Sequence, residues 1–163
     1  MITWVKTMNK MWLHKAICTV FGLGMAPFAP GTFGALGAVL FYFGLYHFEI
    51  DFGLIPTLIS ILILTLIGIW STNALEEEWG QDPSRIVIDE FIGIMVTMIL
   101  VPVTPINIII AFILFRFFDI AKPLGIRKVD TVLKSGIGVM LDDILAGVYS
   151  CICMHFLLYF VLN

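Results

Sequence analysis

Charge is what this sequence has least of. Only 13% of its 163 residues are Asp, Glu, Lys or Arg, against about 25% in an ordinary soluble domain. Hydrophobic residues make up 60%, and the mean hydropathy is +1.04. This balance excludes a disordered chain, a nucleic-acid binder and a soluble surface enzyme. The partner it implies is a lipid bilayer, and the sequence says nothing of oligomeric state. Whole stretches lack charge altogether: 16–48, 52–75, 91–115 and 144–163. A helix needs about 20 apolar residues to cross a hydrocarbon core, so each stretch is a candidate.

Cysteine and histidine are also scarce, at three each. An odd number of cysteines in apolar settings, Cys18, Cys151 and Cys153, excludes a disulfide framework. Scattered His14, His47 and His155 exclude a histidine metal cluster. There is no Cys-x5-Arg cradle, no Asp-x-Asp nucleophile pair, and no histidine beside an arginine cluster. Phosphocysteine, phosphoaspartate and phosphohistidine routes are thereby set aside. A cleavable leader is not expected, because the first apolar run is too long and contains Pro27 and Pro30.

The chain is punctuated by glycine and proline. Gly22–Thr32 carries three glycines and two prolines and is expected to be irregular, with a helix following from about Phe33 to Phe48. A second helix is expected over about Phe52–Ala74, ending in Glu76, Glu77 and Glu78. Asp82 and Pro83 read as a cap and first position for a helix running to about Val101. Pro102 and Pro105 then break the uncharged run 91–115, and Thr104-Pro105 starts a helix to about Ala121. A last helix is expected from Ser135-Gly136 to about Phe160. Residues 1–15, with Trp4, Trp12 and interspersed lysines, read as an interfacial helix.

Lysine and arginine decide how the proline break is read. One straight span over 91–115 would leave Arg116, Lys122, Arg127, Lys128 and Lys134 opposite the N-terminus. A hairpin over 83–121, spanning or re-entrant, places all nine Lys and Arg on one face, as the positive-inside rule prefers. The expected fold is therefore all-α, a polytopic membrane helical bundle in a single domain over 1–163. It has about three spanning helices, a proline-broken helical hairpin and an N-terminal interfacial helix.

Five of the acids adjoin apolar helix: Asp89, Glu90, Asp119, Asp142 and Asp143. Ionisable groups in such settings are costly and functional by default. Pairing with Arg116 and Lys122 is the structural alternative, but five carboxylates exceed two bases. Oxygen donors without a His or Cys cluster favour Mg²⁺ over zinc. Arg116, Asp119 and Lys122 recur every three residues and share a helix face, which places a guanidinium and an ammonium where a phosphate can be held. The chemistry left is metal-assisted hydrolysis with water as nucleophile. The rival reading is a small membrane cation carrier using the same carboxylates as an ion path.

Four motifs in order resemble the phosphatidylglycerophosphatase A family: Ala29-Pro-Gly-Thr32, Asp89-Glu-Phe-Ile-Gly93, Phe115-Arg-Phe-Phe-Asp-Ile-Ala-Lys-Pro123 and Gly138-Val-Met-Leu-Asp-Asp-Ile-Leu-Ala-Gly147. They cover about residues 20–150. The resemblance implies a Mg²⁺-dependent enzyme of the bacterial cytoplasmic (inner) membrane, with its site facing the cytoplasm. It would convert phosphatidylglycerophosphate to phosphatidylglycerol and phosphate. It implies catalytic and metal roles for Asp89, Glu90, Asp119, Asp142 and Asp143, and phosphate binding by Thr32, Arg116, Lys122 and Arg127. Two positions depart from the family pattern. Leu124-Gly125 stands where a second proline is common, and Lys134-Ser135-Gly136 where His-Gly-Gly is common.

Overall fold

A computed structural model describes residues 11–80, 83–123, 126 and 136–160. Among them there are helices and no strands. Residues 11–18 form α1, and a short 3-10 turn follows at Leu23–Met25. Then come α2 (Pro30–His47), α3 (Leu54–Trp79), α4 (Ile88–Thr97), α5 (Pro105–Ala121) and α6 (Gly136–Phe160).

Helices α3 and α6 are long and apolar enough to cross a membrane. Only 17% of the most apolar stretch of α3 is buried in protein, against 50% for α6. So α3 stands at the edge of the bundle with Ile55, Ile59, Leu62 and Leu66 exposed, and α6 runs through its middle, packed on α3, α4 and α5. Docked on α3 is α1. His14 Nδ1 lies 3.2 Å from Ser71 Oγ, its ring meets Trp70 edge-on, and Lys15 pairs with Glu78. Of the expected interfacial helix over 1–15, residues 11–15 belong to this docked helix, with Trp12 exposed; residues 1–10 lie outside the described part.

The seam between α4 and α6 is made of glycine. A Cβ on Gly147 would stand 2.6 Å from the Gly93 carbonyl oxygen and 2.9 Å from Val96 Cβ. One on Gly93 would fall on the Phe115 ring of α5. Small residues let helix backbones approach, and in lipid such close packing is a main source of helix association. Phe115 fills the remaining space and is fully buried. Three helices are therefore locked together one turn beyond Asp89 and Asp143.

The proline break holds. Residues 98–104 are non-helical, and Thr104 caps α5 by accepting the Asn107 amide at 3.3 Å, with Pro105 in the first turn. Asn107 Nδ2 donates to the Pro102 carbonyl at 2.9 Å, which satisfies a carbonyl at the turn. Three boundaries differ from expectation. Helix α4 ends at Thr97 rather than near Val101, because Leu100 turns left-handed (φ 58°) and Pro102 disfavours helix at the residue before it. It also begins at Ile88 rather than at Pro83. Ile86 and Val87 are both buried, and the Val87 amide donates to Cys18 O at 2.8 Å. A turn closed by the Ile86 amide donating to Pro83 O at 2.9 Å, followed by that bond to Cys18, holds this stretch off the helix. The expected cap Asp82 lies outside the described residues.

Helix α2 starts at Pro30, three residues earlier than expected. Pro30 occupies the first turn, and Ala29 before it turns left-handed (φ 46°). Thr32 is therefore helical. Helix α3 runs on through Glu76–Glu78 to Trp79.

Candidate active site

The ends of the helices converge on one cleft of about 260 Å³. Pro30 and Gly31 reach it from the start of α2, and Ser84 from the turn before α4. The first turn of α4 brings Asp89 and Glu90. The last turns of α5 bring Arg116 and Asp119, with Lys122 at its cap. The second turn of α6 brings Asp142 and Asp143. All five predicted acids and both helix-borne cations therefore line a single space. Asp89 and Asp119, 30 residues apart in sequence, meet because α4 and α5 fold back on each other across residues 98–104 with their acids at the open end. Asp119 lies about 21 Å from Pro105 at 1.5 Å per residue. The shorter α4 reaches a similar depth only with help from residues 98–104.

The two cations do not serve all five acids. Arg116 Nη1 donates to Asp119 Oδ2 at 2.5 Å within α5. Lys122 Nζ donates to Asp142 Oδ2 at 2.6 Å, tying α5 to α6. Lys122 is at the C-cap of α5 with φ 42°, a left-handed residue that ends the helix before Pro123. Asp89, Glu90 and Asp143 remain without an ion pair among the described residues. One carboxylate oxygen from each lies within 4.8 Å of the other two. Asp89 and Asp143 are buried, and Glu90 Oε2 is buried with no hydrogen-bond partner among the described residues. A buried, unpartnered carboxylate oxygen is expensive. Three carboxylates at this spacing fit one hard divalent cation, whose ligand oxygens lie at most about 4.2 Å apart for magnesium. The trio would close on it with a small side-chain movement.

Gly31 is a site residue that the sequence reading did not single out. A Cβ there would fall on Glu90 Oε1 and come within 3.4 Å of Arg116 Nη1. The start of α2 thus backs directly onto two charged groups, and a side chain at position 31 would have to displace the Glu90 carboxylate. Ser84 was also missed; nothing in its neighbourhood marks it beyond the preceding proline. Thr32 sits one residue beyond the lining at Gly31 and does not itself line the cleft. Arg127 lies outside the described residues, as do Leu124, Gly125, Lys134 and Ser135.

The residues set aside stay apart from this space. His14 is buried against Ser71, and His155 hydrogen-bonds the Cys151 carbonyl one turn back on α6. Burial pushes the Cys18 thiol up to about 11, so it packs as a small apolar group.

Comparison with known proteins agrees with the motifs. The family model for phosphatidylglycerophosphatase A matches residues 16–158. A Bacteroides thetaiotaomicron protein with the provisional name phosphatidylinositol-3-phosphatase is 49% identical, over 86% of this chain and 91% of its own length. Two proteins named phosphatidylglycerophosphatase A are each 35% identical. The Haemophilus influenzae one covers 87% of this chain and 86% of itself, and the Escherichia coli one covers 84% and 78%. No solved structure matches the chain. On this combination of ordered motifs, converging acids and full-length similarity, the chain belongs to the phosphatidylglycerophosphatase A family, a family of phosphatases.

Proposed function

We propose that the protein hydrolyses the phosphomonoester of phosphatidylglycerophosphate to phosphatidylglycerol and inorganic phosphate. The reaction uses Mg²⁺ at the cytoplasmic face of a bacterial membrane. The observation that carries this reading is the split of the acids. Two are matched to Arg116 and Lys122, and three are left close together, Asp89 and Asp143 buried and Glu90 half-buried, with no ion pair among the described residues. A phosphomonoester needs both halves of that arrangement.

Asp89, Glu90 and Asp143 are the residues that would hold the ion. When bound it would supply positive charge against the phosphate dianion and polarise a phosphoryl oxygen. Arg116 and Lys122 flank the same cleft and orient the remaining oxygens. Arg116 Nε is buried and unpartnered among the described residues, so the guanidinium keeps donor capacity beyond its bond to Asp119. A cleft carboxylate orients water for in-line attack and takes its proton. The water oxygen forms the new bond to phosphorus, the bond to the glycerol oxygen breaks, and that oxygen leaves with a proton. Ile120, largely exposed at the rim, gives the site an apolar border suited to a lipid.

The membrane arrangement belongs to the same proposal. With 83–121 as a hairpin, every Lys and Arg lies on the cleft side, and α6 carries the C-terminus to the other. The cleft at the ends of the helices favours an enzyme over an ion path, which would put its acids at mid-depth.

The 49% identical relative favours a second substrate, a phosphatidylinositol 3-phosphate. The chemistry at phosphorus is the same and the alcohol differs. Phosphate release by purified protein from both lipids, side by side, separates the two. Faster turnover of phosphatidylglycerophosphate supports the first reading. A clear preference for the inositol lipid replaces it with the second, and release from neither removes both.

A further inference from the structure

A second cavity opens between α2, α3 and α4 and is lined by no charged residue. It has a volume of about 340 Å³ and is bordered by Phe41 of α2, Phe52 of the turn before α3, Ser60 and Leu64 of α3, and Phe91 and Met95 of α4. We propose that this cavity holds one acyl chain of the lipid substrate while its phosphate occupies the acid cleft. The proposal rests on the lipid phosphatase reading above.

Three observations select an acyl chain as the occupant. The cavity and the cleft are neighbours along α4, where Glu90 lines the cleft and the next residue, Phe91, lines the cavity. The depth also suits a lipid. Gly31 borders the cleft and Phe41 the cavity, ten residues along one helix, which is about 15 Å at 1.5 Å per residue. That is the direction a tail takes from a phosphate held at the membrane surface. Finally, the outer wall is α3, the least buried of the candidate spans. The side of α3 facing away from the bundle carries Ile59 and Leu62, both exposed, so a tail can enter sideways from the hydrocarbon layer.

Bilayer hydrocarbon is as apolar as this cavity, so burial from water supplies no affinity here. What the cavity contributes is shape. A tail lodged against the Phe41 and Phe91 rings, which pack on each other with centres 6.0 Å apart, fixes the lipid laterally and holds its phosphate over the acids. Orientation of that kind raises reaction rate as well as binding.

The test fills the cavity from the α3 side, which carries no cleft residue. Ser60→Trp, and the smaller Ser60→Met, are compared with the unaltered protein on two substrates. One is phosphatidylglycerophosphate with long acyl chains, and the other carries butyryl chains too short to reach the cavity. Cavity mismatch by a methylene or more changes discrimination by tenfold or above. The expected result is a fall of about tenfold in kcat/KM on the long-chain lipid for Ser60→Trp, a smaller fall for Ser60→Met, and unchanged turnover of the butyryl lipid. Retained butyryl turnover also reports that the variants are folded. Equal turnover of both lipids by variants and unaltered protein overturns the acyl site, as does an equal loss on both by Ser60→Met. If the unaltered protein releases no phosphate from either lipid, the function itself has failed, which is a separate result.

Discussion

Adding one methyl group at Gly147 should damage the metal site without touching a charged residue. The methyl that Gly147→Ala introduces would stand 2.6 Å from a backbone oxygen and 2.9 Å from Val96 Cβ, whereas carbon atoms at rest lie about 3.5–4.0 Å apart. Backbone cannot rotate aside, so α4 and α6 must part by about 1 Å at the seam. Overpacking of this kind costs about 1–3 kcal/mol. Asp143 precedes Gly147 by one turn, and Asp89 precedes Gly93 by one turn, so the acids lie about 6 Å along the helices from the disturbance. Parting the helices there spreads the Asp89, Glu90 and Asp143 oxygens. Magnesium tolerates little departure from its preferred geometry, and disturbing the support of metal ligands costs 10–100-fold in metal affinity. The assay is thermal unfolding of the purified protein in detergent, together with the magnesium concentration giving half-maximal phosphate release. Expected are a lower melting temperature and a half-activating concentration raised about tenfold or more. Gly44→Ala is the control. Nothing lies within 4 Å of its added methyl, and the change should be neutral or stabilise by about 0.5–1 kcal/mol. If Gly147→Ala melts and responds to magnesium like the unaltered protein, the glycine seam does not position the acids.

Other expectations follow from the same geometry. Arg116→Lys keeps the charge beside Asp119 but loses the planar fork, so kcat should fall about a hundredfold with folding retained; kinetics at saturating substrate measure it, and near-full activity would mean the guanidinium is not used. Cys18, with its thiol pushed up to about 11 and its surface fully buried, should resist iodoacetamide at pH 8 until the protein is unfolded. The sign follows from the raised value: at pH 8 only about one thiol in a thousand is ionised. Mass spectrometry of the alkylated peptide reads the outcome, and rapid modification of folded protein contradicts the packing of α1 on α3. Pro102→Cys in intact cells should label with an impermeant maleimide from outside if the hairpin spans, and labelling only after the cytoplasm is opened would refute a spanning hairpin.

Much of this organisation is legible in the sequence because charge is so rare. With five acids next to apolar helix, each one marks a place, and all five do line the cleft. The proline break at 102–105 is legible because Pro and a capping Thr have local effects on their own backbone. Residues 83–87 are less so. Their non-helical course depends on a hydrogen bond from Val87 to Cys18 and on burial of Ile86 and Val87 against distant elements, and no local pattern encodes that. The same holds for Gly31. Its motif is visible, but the approach of Glu90 to it is a contact across 59 positions. Asp89-Glu-Phe-Ile-Gly93 and Asp143-Ile-Leu-Ala-Gly147 each set a glycine one turn after an acid, a spacing that has meaning only once α4 and α6 are seen to pack together. Each supplies an acid and, one turn on, the glycine that lets the other come close.

The most direct measurement is phosphate release from phosphatidylglycerophosphate by the purified protein, stripped with chelator and then titrated with magnesium. The account predicts no release in chelator and full recovery as magnesium is added, with Glu90→Gln unable to recover at the same concentration. Undiminished release in chelator, or full recovery by Glu90→Gln, would contradict the assignment of Asp89, Glu90 and Asp143 as the metal site.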